Sequence, residues 1–208
     1  MTRLILASTS PRRRELLDLL QIPFEVVAPV FDETSRPEWT EAEEVLALAR
    51  GKGLSVAAKY PRSILIAADT LVTVDGEKLG KPRDAKDAER MLKRLSGKEH
   101  QVLSGVFLYN GISGEEILWH ERTLVFFKDL SENEIRNYVT GGEPMGKAGA
   151  YAIQGQGSRL IVGIEGDFFN VVGLPLRRLY EQLQTWGATP AVPWETVATT
   201  VPGPWHQG

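Results

Sequence analysis

Short apolar runs, typical of strands, alternate with segments of helical periodicity along most of this chain. Two long runs are joined through Asn110-Gly111, a dipeptide that favours a tight hairpin turn. Asp75-Gly76 marks a second hairpin in the same way. The strands predicted from these patterns lie at residues 4–7, 24–27, 64–74, 77–79, 101–109, 116–127 and 160–164.

Helices are predicted between the strands from apolar positions spaced three and four residues apart. Two helices begin with a capping box, formed by Thr40 with Glu43 and by Ser131 with Glu134. The other helices begin at about residues 11, 84 and 175. Strands and helices mixed in this order predict an α/β fold, with a long mixed β-sheet flanked by helices.

Composition narrows the class of protein. The chain has 208 residues and a net charge of −3, so no overall field attracts a nucleic acid polymer or an anionic membrane. There is no cysteine, which excludes disulfides, thiolate catalysis and cysteine-based zinc sites. No signal peptide is visible, and no run approaches the ~18 apolar residues of a membrane span. We therefore expect a cytoplasmic protein.

The end of the sequence differs from the rest. Residues 187–208 are rich in proline and show no period, which predicts a mobile tail after a single domain at residues 1–186. Trp194 and Trp205 leave docking on the body, or on a partner, as the alternative.

The first strand ends in the basic turn Ser8-Thr9-Ser10-Pro11-Arg12-Arg13. Ser10 is a good N-cap and Pro11 suits the first helical position, so Arg12, Arg13 and Arg14 fall in the first helical turn. The positive end of the helix dipole disfavours cations there, by roughly 0.3–1 kcal/mol each. A bound phosphate would make the three cations favourable at this position, because it would place negative charge beside them. A basic turn that is merely solvated is equally compatible with this segment.

Asp69 interrupts an apolar strand, where an unpaired carboxylate is costly. A functional role would be a metal ligand, a general base, or both. The alternative is an aspartate at a strand end that bonds to local backbone. Lys81 follows in the turn Gly80-Lys81-Pro82, and Glu33 is a candidate second oxygen ligand.

Residues 141–157 are rich in glycine. Residues 141–147 match the start of a P-loop, but Ala148 stands where Ser or Thr must bind magnesium, and no strand precedes the segment. We therefore reject a P-loop. The loop still offers close backbone approach, a charge at Lys147 and hydrogen bonds from Gln154.

Taken together, residues 4–183 resemble the Maf, or septum formation protein, family. The resemblance implies two lobes around a nucleotide cleft, a fold similar to that of inosine-triphosphatase-like pyrophosphatases, and hydrolysis of nucleoside triphosphates with Mg²⁺ or Mn²⁺. It also leaves a homodimer open. The motifs that carry it are residues 8–13, 68–70, 79–82, 95–97, 146–155 and 166–175.

The resemblance also implies roles for individual residues. Asp69 would accept a proton from water and, with Glu33, bind the metal. Arg12, Thr70 and Gln154 match the subgroup that acts on dTTP and UTP rather than on 7-methyl-GTP. The residues expected to hold the phosphates are Ser8, Arg12, Arg13, Lys52 and Lys81.

The sequence departs from the pattern of the family at one point. Gly51 and Gly53 flank Lys52, where the family usually has Lys-Ala within a helix, and this predicts a looser helix at that point.

The alternative function is a nucleotide-binding regulator of cell division that performs no catalysis. Such a protein would use the basic pocket but would need no carboxylate beside the phosphates.

Overall fold

The computed structural model describes residues 3–202, which form a seven-stranded mixed sheet with helices on both faces. This confirms the predicted α/β class. The strands are β1 (Arg3–Ala7), β2 (Phe24–Val27), β3 (Ser63–Val74), β4 (Glu77–Leu79), β5 (Glu99–Asn110), β6 (Glu115–Phe127) and β7 (Ile161–Glu165).

The helices follow the predicted starts closely, and both predicted capping boxes are present. An additional short helix lies at residues 168–172, just before the helix predicted from about residue 175. In the described part of the chain, no helix is both long and apolar enough to cross a membrane. The helices are α1 (Pro11–Asp18), α2 (Glu41–Ala57), α3 (Ala85–Leu95), α4 (Glu132–Thr140), α5 (Phe168–Val172), α6 (Leu176–Thr185) and α7 (Trp194–Ala198).

The strand order is β2-β1-β3-β5-β6-β7, with β4 paired to β3. β1 is parallel to β2 and β3, whereas the remaining pairs are antiparallel. Side chains of a strand alternate between the faces of a sheet. Ile5, Leu65 and Phe107 therefore pack under α2, while Leu4 and Ile64 face the larger core that contains α1 and α3 to α7.

A gap interrupts the sheet beside the middle of β3. On one side β3 pairs with β1 at residues 63–66 and with β4 at residues 72–74. On the other side β5 covers residues 64–73 without a break. Residues 67–71 therefore have no strand partner on the β1 side among the described residues. The edge of β3 is open there, immediately beyond the end of β1.

The described part of the predicted tail packs on the body of the protein, which differs from the expected mobile extension. The ring of Trp194 meets Phe169 and Tyr180 edge to face, and Val197 and Val201 are buried. Trp194, Val197, Ala198 and Val201 do follow the spacing of one helix face, which the proline-rich composition of the segment obscured. Pro204 and Trp205 lie outside the described residues.

Candidate active site

Asp69 and Thr70 lie at the gap in the sheet, on opposite faces of β3. Asp69 Oδ1 accepts a hydrogen bond of 2.5 Å from Lys52 Nζ on α2. Thr70 Oγ1 accepts one of 3.0 Å from Arg13 Nη2 on α1. Because neighbouring strand residues point to opposite faces, β3 carries both polar side chains into the same opening from two directions.

Lys52 joins two carboxylates. Its side chain is 8% exposed, and Nζ lies 2.8 Å from Glu33 Oε2 as well as 2.5 Å from Asp69 Oδ1. Glu33 belongs to the loop before α2 and is more exposed, at 55% of its side chain. Glu33 and Asp69, predicted together as metal ligands, thus form one cluster with Lys52, which was predicted to hold phosphates.

The looser helix predicted around Lys52 is wrong, since α2 runs unbroken from residue 41 to residue 57. A Cβ atom at Gly51 would lie 2.1 Å from the Phe31 ring, and one at Gly53 would lie 2.2 Å from the Phe107 ring. The two glycines therefore give room to aromatic rings on either side of Lys52. Packing against these rings compensates for their low helix propensity.

Arg13 connects three elements of the site. Its Nε donates to Gly173 O at 2.8 Å, and its Nη2 donates to Thr70 Oγ1 at 3.0 Å. Burial lowers the pKa of this guanidinium, and the charge of Asp69 opposes that effect. Arg13 was predicted to hold phosphates; in the structure these two donors bind protein oxygens and keep α1 against β3.

The remaining part of the basic turn faces the glycine-rich loop. Ser10 Oγ accepts from Arg13 N at 3.5 Å, and Ser8 Oγ accepts from Ser10 N at 3.1 Å, so both hydroxyls shape the start of α1. Burial lowers the pKa of Arg12. Burial also lowers the pKa of Lys147, and the nearby charge of Arg12 lowers it further. Two cations therefore lie close together, an arrangement that favours an anion between them.

The Gly80-Lys81-Pro82 turn also reaches this loop. Gly149 N donates to Gly80 O at 3.1 Å, which places Lys81 beside residues 146–150. Lys81 and Gln154 are both exposed, while Lys147 Nζ donates to Glu143 O. Hydrogen bonds and ion pairs thus join Lys52 to Asp69 and Glu33, Arg13 to Thr70, and the turn of Lys81 to the glycine-rich loop. Within residues 3–202, no hydrogen bond or ion pair ties the Gln154 side chain to them.

Several polar residues of the site were not predicted. Ser104 Oγ lies 2.8 Å from Thr70 Oγ1 and is fully buried, and its hydroxyl within the apolar strand β5 was the available signal. Tyr138 and Glu143 bond to the glycine-rich loop, and no local pattern marked them. Asn170 is fully buried and donates to Val102 O and Thr123 Oγ1, although its Oδ1 has no partner within residues 3–202.

The fit to a divalent metal depends on Glu33 and Asp69. No group of three or more His, Cys, Asp or Glu suited to a metal occurs within residues 3–202. Mg²⁺ is commonly held by one or two carboxylates together with substrate phosphates. Because Lys52 contacts both Glu33 and Asp69, the two carboxylates lie on either side of one cation. Their oxygen donors fit a hard cation that phosphate oxygens help to bind.

Known proteins similar to this chain include two sequence relatives and one solved structure. The dTTP/UTP pyrophosphatase of Symbiobacterium thermophilum is 52% identical over 187 residues, covering 90% of this chain and 95% of that protein. The dTTP/UTP pyrophosphatase of Pelotomaculum thermopropionicum is 47% identical over 187 residues, covering 90% of this chain and 98% of that protein. The solved structure of the Staphylococcus aureus Ham1 protein gives a TM-score of 0.45 at 15% identity, over 62% of this chain and 73% of that one.

The family match extends over nearly all of the described fold. Residues 3–186 match the family described as Maf-like protein, so the matched segment includes the cluster at Lys52 and the glycine-rich loop. With this match and relatives of about half-identical sequence, the chain belongs to the Maf-like protein family.

Proposed function

We propose that this protein hydrolyses nucleoside triphosphates, dTTP and UTP above all, to the monophosphate and pyrophosphate. The observation that carries the proposal is the position of Asp69, a carboxylate in the sheet gap with Lys52 on one side and the basic start of α1 nearby. The relatives described above are dTTP/UTP pyrophosphatases, which supports the same substrate class.

The cations around the gap suit the phosphate chain. The charges of Arg12 and Lys147 act on each other, and Lys81 is exposed beside the glycine-rich loop. Together with the N–H groups at the start of α1 and the Ser8 hydroxyl, they would bind the triphosphate and stabilise the departing pyrophosphate. Arg13 contributes its charge while its bonds to Thr70 and Gly173 keep the start of α1 in place.

Asp69 would act on the attacking water. Its Oδ1 accepts from Lys52, and within the described part of the chain Oδ2 has no protein donor. That oxygen is suited to orient water and take its proton as the water attacks the α-phosphorus. Lys52 fixes the orientation of the carboxylate through the short bond to Oδ1.

A divalent metal, Mg²⁺ or Mn²⁺, is part of the proposal. Glu33 and Asp69 would hold it together with phosphate oxygens. When bound, the metal would supply positive charge that offsets the charge developing on the phosphates. Lys52, placed between the two carboxylates, would keep them close to each other in the absence of substrate.

Product analysis tests the reaction. We expect phosphorus NMR to show monophosphate and pyrophosphate from dTTP and UTP, with a rate that rises when Mg²⁺ or Mn²⁺ is added. Orthophosphate as the first product would contradict the proposed bond cleavage. Tight nucleotide binding without any product would instead support the non-catalytic regulator.

Base preference is the finer part of the proposal. Uracil and thymine present an N3–H donor between two carbonyl acceptors, and the Gln154 amide can pair with part of that edge. Cytosine lacks the N3–H, so a site group would stay unpaired. We therefore expect kcat/KM for dTTP and UTP to exceed that for dCTP by roughly tenfold or more. Faster turnover of 7-methyl-GTP than of UTP would contradict this preference.

A further inference from the structure

We infer that Glu143 and Tyr138 are positioning residues for base selectivity, because they hold the loop that carries Gln154. We call residues 152–157 the base loop. The inference rests on the proposed function, in which Gln154 contacts the base, and it assigns a role to two residues outside the predicted site.

Glu143 holds the end of the base loop with both carboxylate oxygens. Oε1 accepts from Gln156 N at 3.0 Å, and Oε2 accepts from Gly157 N at 2.8 Å. Gly155, which lies between Gln154 and these two amides, leaves room for the carboxylate. A Cβ atom at Gly155 would lie 2.3 Å from Glu143 Oε1, and the φ of +73° at Gly155 favours glycine.

Tyr138 holds the beginning of the same loop. Its Oη accepts from Ala152 N at 3.1 Å. Burial raises the pKa of Tyr138, and the neighbouring Glu143 carboxylate raises it further. Tyr138 is 5% exposed on the buried face of α4, which makes it a rigid support.

Gln154 itself is exposed, with its backbone supported on both sides. Ala152 lies two residues before it and Gln156 two residues after it, and each amide has a side-chain acceptor. Base discrimination requires the amide of Gln154 to stay in one place, since a misplaced hydrogen bond loses most of its strength. The Tyr138–Glu143 pair supplies that constraint without touching the substrate.

Glu143→Gln is the main test. The substitution keeps the shape of the side chain but leaves only one acceptor oxygen for two N–H donors. We expect the kcat/KM ratio of dTTP to dCTP to fall at least about threefold, with dTTP affected more than dCTP. Glu132→Gln, on the exposed face of α4, removes the same charge and should leave the ratio unchanged.

A double variant tests whether Glu143 acts through Gln154. In the Gln154→Ala background, Glu143→Gln should lower the ratio no further, because the residue being positioned is gone. If Glu143→Gln lowers the ratio of dTTP to dCTP by the same factor with and without Gln154→Ala, the inference is overturned. It is also overturned if Glu143→Gln lowers kcat/KM equally for every nucleotide. If Glu143→Gln fails to fold, Tyr138→Phe removes the acceptor for Ala152 N and must lower the ratio in the same way.

The failure of the inference differs from the failure of the proposed function. An unmodified protein that releases no pyrophosphate from dTTP or UTP would remove the proposed function and this inference with it. A protein that prefers dTTP over dCTP, and keeps that preference in Glu143→Gln and Tyr138→Phe, would overturn the inference alone.

Discussion

Lys52 Nζ lies 2.5 Å from Asp69 Oδ1 and joins the middle of α2 to the open edge of β3. The same ammonium lies 2.8 Å from Glu33 Oε2. Removing one partner from such a buried pair leaves an uncompensated charge, which is more costly than the pair is favourable. This cluster therefore links the stability of the gap to the chemistry proposed for it.

Asp69→Asn should abolish most of the activity while the fold survives. The amide has nearly the same shape and can still accept from Lys52, whose charge stays paired with Glu33, but it cannot take a proton from water. Loss of a general base typically lowers the rate about 10²–10⁴-fold. Pyrophosphate release measures this loss, and thermal unfolding checks the fold. Turnover close to that of the unmodified protein would make Asp69 a structural residue.

Gly51→Ala should lower activity more than stability. The new Cβ would collide with the Phe31 ring, which is 40% exposed and able to move outward. Moving Phe31 would displace Glu33, two residues along the same loop, from Lys52. The gain in helix propensity, ~1 kcal/mol, would offset part of the lost packing. We expect kcat/KM to fall by about fivefold, equivalent to about 1 kcal/mol.

The matched control for Gly51→Ala is Phe31→Ala, alone and combined with it. If the collision with Phe31 causes the loss, Gly51→Ala should have little further effect once the ring is removed. Additive losses in the double variant would show that the glycine acts through the helix itself.

Deletion of residues 187–208 should destabilise the protein, contrary to the mobile tail expected from its proline-rich composition. The deletion removes buried Val197 and Val201 and uncovers Phe169 beneath Trp194. Val197→Ala alone should cost about 1–3 kcal/mol of unfolding free energy. Thr199→Ala, at an exposed position of the same segment, should cost little. Denaturant unfolding measures all three, and unchanged stability after the deletion would contradict the observed packing.

His100 should make the protein less stable in acid. Burial lowers its pKa to about 3, well below the ordinary value of about 6.5 that it regains on unfolding. The unfolded chain therefore binds more protons as the pH falls below about 6.5, and stability is lost down to about pH 3. We expect this group to account for about 2 kcal/mol between about pH 7 and 5.

His100→Gln tests that contribution. His100 Nε2 lies 2.8 Å from Tyr151 Oη, and the Gln amide can keep a hydrogen bond to that hydroxyl. Between about pH 7 and 5, the unfolding free energy of the variant should fall by about 2 kcal/mol less than that of the unmodified protein. Denaturant unfolding at these pH values measures both proteins. If their unfolding free energies fall equally with pH, His100 does not change its protonation on unfolding.

Local patterns determined most of the elements. The strands at residues 24–27 and 77–79 have the bounds that were predicted, and the helix capped by Asp84 begins where it was predicted, since periodicity and caps depend on neighbouring residues. The candidate residues of the site were also visible in the sequence. Asp69 is a carboxylate in an apolar run, and Arg12 is a cation at a helix start, so each was conspicuous against its surroundings.

Tertiary structure alone decided how these residues meet. The gap beside β3 arises because β1 and β4 pair with separate parts of it. β4 returns through the local turn at Asp75-Gly76, but the register of β1 depends on a strand far away in the chain. Arg13 finds its acceptor at Gly173, and Gly51 is explained only by the ring of Phe31. Contacts of this kind follow from packing between distant segments, and no local pattern of polar and apolar residues contains them.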